Sequence, residues 1–266
     1  MQNYKLLISY DGTRYNGWQS QDNTKNTIQE KLEAVISSVL SKPVEIAGSG
    51  RTDAGVHAQG QVASFKTSSA IFMEKESPDS SVRKSVETPP FLSKEAFLEK
   101  VNSLLPKDIA VNAINSVPEN FHARLSACSK TYMYRIHTSA VSNVFEHRFM
   151  YDYTAPLDVS KMKDAASYLV GTHDFKSFCG NRHMKKSTVR TITSIDISVL
   201  PDEIRILYTG NGFLMNMVRI LTGTLIETGA GKRTPDSIPA VLAALDRSAA
   251  GYTAPAEGLT LLKVEY

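Results

Sequence analysis

Tyr4-Lys5-Leu6-Leu7-Ile8-Ser9-Tyr10, closed by Asp11-Gly12, is the stretch on which the reading of the fold turns. Seven aliphatic and aromatic-rich residues ending in a turn dipeptide read as a buried strand. Downstream, Thr27 and Glu30 have the spacing of a capping box, and Ile28, Leu32, Val35, Ile36 and Val39 recur at helical spacing as far as Pro43. Residues 44–47 and 61–66 read as two short strands, residues 93–105 as a second helix, and residues 109–117 as a fourth strand. Strand, helix, strand, strand, helix, strand is the split β-α-β order of a ferredoxin-like domain.

The remainder of the chain gives strand patterns at residues 131–137, 190–199, 204–208 and 259–266, and helical patterns at about 158–170, 213–228 and 237–245. It resembles an elaborated version of the first half, although no internal sequence repeat accompanies it. The expected fold class is therefore α+β. Two ferredoxin-like (RRM-like) subdomains, residues 1–118 and 119–266, would form a continuous mixed, mostly antiparallel sheet with helices and loops around a central cleft. Residues 68–92 run through Glu-Lys-Glu-Ser-Pro-Asp-Ser-Ser and Pro89-Pro90, the composition of an inserted surface excursion. Such an insert is either a lid or substrate-contacting arm, or a loop tolerated because it costs little stability.

Composition narrows the class of protein. With 42% hydrophobic and 21% charged residues over 266 positions, a substantial core and a soluble fold are expected. A net charge of +3 and a pI near 8.7 permit a polyanionic partner without demanding one. Cys128 and Cys179 stand far apart and the six histidines are dispersed, so neither a disulfide framework nor a metal site is expected, and two buried free thiols are. No signal-type segment opens the chain and no apolar run approaches membrane-spanning length, which points to a cytoplasmic protein without a membrane partner.

The most distinctive loop is Gly48-Ser49-Gly50-Arg51-Thr52-Asp53-Ala54-Gly55-Val56-His57-Ala58. It sets one carboxylate among small residues, where a planar substrate could approach the backbone closely. No Gly-Lys-Ser/Thr follows, so it is not a P-loop. Asp and Gly are also ordinary turn residues, and the loop by itself leaves that reading open.

The phrase Gly50 to His57 is similar to the signature of the tRNA pseudouridine synthase A family. Further segments resemble that family in the same order: Tyr10-Asp11-Gly12, Tyr15-Asn16-Gly17-Trp18-Gln19, Phe121-His122-Ala123-Arg124 and Lys130-Thr131-Tyr132-Met133-Tyr134-Arg135. So do Phe213-Leu214-Met215-Asn216-Met217-Val218-Arg219 with Gly223, and Ala254-Pro255-Ala256-Glu257-Gly258-Leu259. The insert after Ser68 is the departure from the family pattern.

The resemblance implies a cofactor-free isomerase that converts uridine to pseudouridine on the 3′ side of tRNA anticodon stem-loops, acting as a homodimer. It makes Asp53 the catalytic carboxylate, Arg219 its basic partner and Tyr132 the aromatic residue against the target base. Arg51 becomes the residue that steers the base out of its stack, and His57, His122 and Arg124 substrate-binding residues. A carboxylate beside a guanidinium is expected to form a bidentate pair and to be held ionised. Basic residues around the second motif (His122, Arg124, Lys130, Arg135) and in the loop Arg182, His183, Lys185, Lys186 and Arg190 are candidates to line an RNA groove. The alternatives are a non-catalytic RNA-binding module on the same fold and a hydrolytic nucleoside glycosidase.

Overall fold

Along β1 (Gln2–Tyr10), Tyr4, Leu6, Ile8 and Tyr10 are all buried, as the period of two in a strand requires. A computed structural model of the chain describes residues 1–72, 90–91 and 93–266, so most of the expected insert lies outside the described residues. After β1 come α1 (Ile28–Leu40), β2 (Ala47–Gly48), β3 (His57–Thr67), α2 (Lys94–Leu104) and β4 (Ile109–Val117). The strand order is β4-β1-β3, with β2 on the other edge of β3, and every pairing is antiparallel. This is the ferredoxin-like order expected from the sequence.

The local chemistry explains the boundaries. The Thr27 side chain accepts from the Glu30 N–H at 3.3 Å, which is half of the expected capping box. The other half is missing, because the Glu30 carboxylate turns to Ser20 and Lys25. α1 stops at Ser41, which takes a left-handed φ of 51°, just before Pro43. Ile28, Leu32 and Ile36 form its buried stripe. Each such side chain removed from water contributes about 1.5–3 kcal/mol.

The strand expected at residues 44–47 shrinks to Ala47–Gly48. Side chains of α1 have taken its backbone groups: Ser37 accepts from the Val44 N–H, Glu33 accepts from the Ile46 N–H, and Gln29 donates to the Ile46 carbonyl. A backbone group bonded to a helix side chain is lost to the ladder.

The chain divides into two compact units, Met1–Thr52 with Ala58–Ala127, and Asp53–His57 with Cys128–Tyr266. The division falls after Ala127 rather than at residue 118. Asn3 donates to the Phe121 carbonyl and Ser64 accepts from the Ala123 N–H, which ties residues 119–127 to the first unit. The Asp53 turn, expected within the first unit, clusters with the second.

The second unit contains β5 (Ser129–His137), β6 (Tyr151–Asp152), α3 (Val159–Ser167), β7 (Gly171–Asp174), β8 (Val189–Leu200), β9 (Glu203–Gly210), α4 (Met217–Gly229), α5 (Ile238–Ala244) and β10 (Leu259–Glu265). Its strands run β10-β5-β9-β8-β7, all antiparallel, while β6 joins β5 in parallel. Take away β6, β7 and α5, and β5-α3-β8-β9-α4-β10 repeats the chain order and strand order of the first unit. The fold is thus α+β with mostly antiparallel pairing.

α4 is buried on nearly every side, and Arg219 and Glu227 are the only charged residues in it. Thr222, Thr224 and Thr228 meet this environment by donating their hydroxyls to the carbonyls four residues earlier. The helix begins at Met217 rather than near Phe213, because Asn216 sits at a left-handed φ of 58°. No described helix is long and apolar enough to cross a membrane. Cys179 is buried as expected, but Cys128 is exposed.

Candidate active site

Asp53 heads a tight turn in which the Val56 N–H donates to its carbonyl at 3.2 Å. Gly55 makes that turn possible. Its φ is +79°, and a β-carbon there would stand 3.1 Å from that of Ala256. Gly48, at the start of the loop, receives the indole of Trp18, which lies 2.5 Å from where a β-carbon would be.

Opposite the Asp53 carboxylate is Arg219, in the first turn of α4. Its Nη1 lies 3.4 Å from Asp53 Oδ2 and 3.2 Å from Asn216 Oδ1, and its Nε donates to the Ala254 carbonyl at 2.7 Å. The Ala254 N–H in turn donates to the Arg219 carbonyl at 3.0 Å. The segment before Ala254 is fastened along the same helix: Gly251 N–H donates to Thr224 Oγ1, and Tyr252 N–H to Glu227. A β-carbon on Gly223 would sit 1.9 Å from the Tyr252 carbonyl oxygen, so this close approach requires glycine.

The pair therefore differs from the expected bidentate one. One guanidinium nitrogen, Nη1, makes one long contact with one carboxylate oxygen and shares it with Asn216, while Nε is committed to the Ala254 carbonyl. The electrostatic consequence is also reversed. Burial pushes the Asp53 carboxyl above its ordinary value, and the nearby Arg219 charge only partly offsets this. About a third of the side chain, 32%, is still open to solvent. Asp53 is thus a carboxylate made more basic than usual, with an accessible face and a cation at its back.

Tyr132 lies on β5 between Leu261 of β10 and Tyr208 of β9, and its ring meets Phe213 edge-on at 5.3 Å. It is 8% exposed, whereas Tyr134 on the same face is fully buried and donates its hydroxyl to the Pro255 carbonyl. Phe213 and Asn216 both stood in a motif read from the sequence, without an assigned role. One supports the Tyr132 ring and the other holds Arg219. The Ala254 carbonyl, the third support of Arg219, is a main-chain group that no residue type could announce.

The remaining candidates fall in varied settings. Arg51 is exposed, and its Nε donates to the Gln19 side chain at 3.0 Å. His57 is 2% exposed, with its ring 4.8 Å from that of Phe149. The Nδ1 of His122 accepts from the Arg124 and Leu125 N–H groups, shaping the turn that leaves Arg124 exposed. Arg135, counted among the basic residues of a groove, is committed elsewhere. It grips Glu203 with two nitrogens and Glu146 with one. Burial would push Glu203 up, but Arg135 and Arg205 overcome it and hold its carboxyl at about 2. Arg182, His183, Lys185 and Lys186 are exposed. No group of three or more His, Cys, Asp or Glu side chains placed to hold a metal occurs among the described residues.

The sequence matches the tRNA pseudouridine synthase family over residues 6–126 and 165–266. The chain belongs to that family. Proteins named tRNA pseudouridine synthase A are similar to it from end to end. That of Brevibacillus brevis is 41% identical over 266 residues, covering all of both chains. Those of Bacillus velezensis and Geotalea uraniireducens are 43% and 40% identical, covering 98% and 100% of each chain respectively. Among solved structures, a chain in the crystal structure of a Cbf5-Nop10-Gar1 complex matches 97% of this one at 11% identity and a TM-score of 0.36, and this chain spans about half, 48%, of that one. The segments around Asp53, Tyr132 and Arg219 all lie within the 266 residues aligned with the Brevibacillus brevis protein.

Proposed function

We propose that the protein is an isomerase that converts uridine to pseudouridine in the anticodon stem-loop of tRNA, with Asp53 as its catalytic carboxylate. The observation that carries this reading is the Asp53–Arg219 pair, in a chain about 40% identical over its whole length to tRNA pseudouridine synthases. The reaction breaks the bond between N1 and C1′, turns the base, and joins C5 to C1′; C5 gives up its proton and N1 takes one. The detached uracil carries the bonding electrons until C5 returns them to C1′.

Asp53 serves this path in one of two ways: its oxygen adds to C1′ as N1 departs, or it removes a ribose proton to give a glycal. Both begin from the ionised carboxylate, and both gain from a base stronger than an ordinary aspartate. Arg219 keeps the group ionised enough to act and orients it. Tyr132, stiffened by Phe213, offers a ring against the base, where stacking is worth about 1–3 kcal/mol. The uridine must leave its stack to arrive there. Arg51, carried over from the family, steers that step, while Arg124 and the turn shaped by His122 contribute to holding the RNA; His57, buried at 2% exposure against Phe149, is too enclosed to contact it directly. A cytoplasmic homodimer acting without cofactor or metal completes the reading, on the strength of the family alone.

Incubation with an unmodified tRNA transcript tests the function. Pseudouridine should appear on the 3′ side of the anticodon stem-loop, with no uracil released. Free uracil would mean hydrolysis, and tight binding without product would mean an RNA-binding module.

The raised Asp53 pKa carries a further expectation. The acid limb of kcat/KM should lie above that of an ordinary aspartate, because activity needs the ionised form. Folding couples with the opposite sign. Since the folded pKa exceeds the unfolded one, the stabilising contribution of the protonated form is complete below the unfolded pKa and is lost as pH rises through the folded value. Urea melts across that window should show the stability of the wild type falling with pH relative to that of Asp53→Asn. An acid limb at or below the ordinary aspartate range would contradict the assignment.

A further inference from the structure

The Arg219 clamp continues into a second cationic feature. Arg247 lies in the short turn after α5, half-buried, with Nη2 donating to Thr253 Oγ1 at 3.0 Å and Nη1 reaching the Ala250 carbonyl at 3.5 Å. Thr253 immediately precedes Ala254, whose carbonyl holds Arg219 Nε. Two guanidinium groups are thus fixed on one stretch of main chain, one facing Asp53 and the other not. Among the described residues no carboxylate lies within ion-pair distance of Arg247. Glu227, whose charge it feels, is engaged by Arg233, and the Asp246 carboxylate accepts from the Ser248 N–H and hydroxyl and feels the Arg182 and Lys176 charges. A half-buried cation normally requires an anion.

A second cation is brought to the same place. Residues 177–180 are fastened at both ends: the Asp246 N–H donates to Ser177 Oγ at 3.0 Å, and the Gly180 N–H donates to the Met215 carbonyl at 2.8 Å. Gly180 packs so closely on the Asn216 side chain that a β-carbon would stand 2.6 Å from its nitrogen. Asn216 is the residue that supports Arg219. Arg182 follows two positions later, exposed and without a side-chain hydrogen bond or ion pair among the described residues. Burial, and after it the Arg182 charge, push the Arg247 guanidinium below its ordinary value. Asp246 eases the Arg182 charge and Glu227 that of Arg247, but neither carboxylate is ion-paired to them, so both guanidinium groups keep donors for a further anion.

We propose that Arg247 and Arg182 form a phosphate-binding site that grips a backbone phosphodiester of the tRNA next to the Asp53–Arg219 pair. The proposal rests on the functional reading above and deepens it. Guanidinium forks suit phosphate oxygens in bidentate geometry, and a backbone contact fixes position without reading sequence. Gripping the chain beside the reacting nucleotide would hold its sugar at Asp53 while the base is turned out. Arg247 supplies the fixed half of the site, strapped to residues 250–253, and Arg182 the movable half.

Arg182→Ala is the discriminating variant, because Arg182 makes no side-chain contact whose loss would unfold the protein. Its melting should match the wild type. KM for an unmodified tRNA transcript should rise about tenfold with kcat reduced less than about threefold, and the slope of log K against log salt should become shallower by about 0.7–0.9, one phosphate contact. Arg182→Lys should restore the slope. Arg247→Ala should give a larger rise in KM and, in combination with Arg182→Ala, less than the product of the two single effects. Arg182→Ala with unchanged KM and salt slope would overturn the site. A wild type that makes no pseudouridine would instead overturn the functional reading, so the two failures are distinct.

Discussion

Asp53→Asn is expected to abolish pseudouridine formation, by at least about a thousandfold in kcat, while leaving tRNA affinity largely intact. Asparagine preserves the size of the side chain and can still accept a hydrogen bond from Arg219, so the turn through Gly55 and Val56 should persist. It cannot add to C1′ as a stable nucleophile, and it is far too weak a base to remove a ribose proton. Affinity should survive because most of the grip on RNA comes from phosphate contacts rather than from the reacting carboxyl. The same variant should not lose stability at neutral pH. Burial raises the Asp53 pKa, so the ionised wild-type group is a net cost to the fold there, and a neutral amide removes that cost. A variant that is inactive, binds tRNA and melts no lower than wild type is the expected result. Retained turnover would remove Asp53 from its role. Inactivity with a collapsed melting curve would show the residue to be structural.

Arg219→Ala should lose both activity and stability. The guanidinium is a joint between three elements of the second unit: the Asp53 turn, the start of α4 and the segment running to Ala254. Removing it strands the buried Ala254 carbonyl, a loss of about 1–3 kcal/mol, and leaves the Asp53 carboxylate without its counter-charge. For a chain of this size a destabilisation of that order lowers Tm by roughly 2–10 °C. Activity should fall by at least about a hundredfold, since Asp53 would be both misplaced and more readily protonated. Arg219→Lys should recover little, because one ammonium cannot reproduce a fork that reaches Asp53, Asn216 and Ala254 together. Normal melting with full activity would show that the joint carries neither function.

These two variants separate what the sequence made legible from what it did not. β1, α1, α2 and β4 follow from alternation, a Thr cap and helical spacing, all of them local signals, and their order implied the strand arrangement of the first unit. The strand at residues 44–47 did not survive, because side chains from α1 compete for its backbone, a tertiary effect invisible in a window of four residues. β6 and β7 are short and polar, with no apolar alternation to reveal them. The pairing of Asp53 with Arg219 came from the family resemblance, since the two residues are 166 positions apart and no local pattern links them. Its geometry differs from the bidentate expectation: a single nitrogen, Nη1, serves both Asp53 and Asn216, and Nε is turned to the Ala254 carbonyl. Burial outweighs the Arg219 charge, so the expected lowering of the Asp53 pKa becomes a rise. Arg135 shows the same limit from the other side. In the sequence it belongs to a basic cluster, and in the fold it is consumed by Glu203 and Glu146.

The central claim is that the Asp53 carboxylate meets the anomeric carbon of a uridine turned out of its RNA stack. Crystallising the protein with an anticodon stem-loop that carries a 5-fluorinated target uridine would test this most directly. The expected structure has the nucleotide everted, one Asp53 oxygen in contact with C1′ or bonded to it, Arg219 still on the carboxylate, and the base against Tyr132. A target uridine seated elsewhere, with its sugar remote from Asp53, would contradict it.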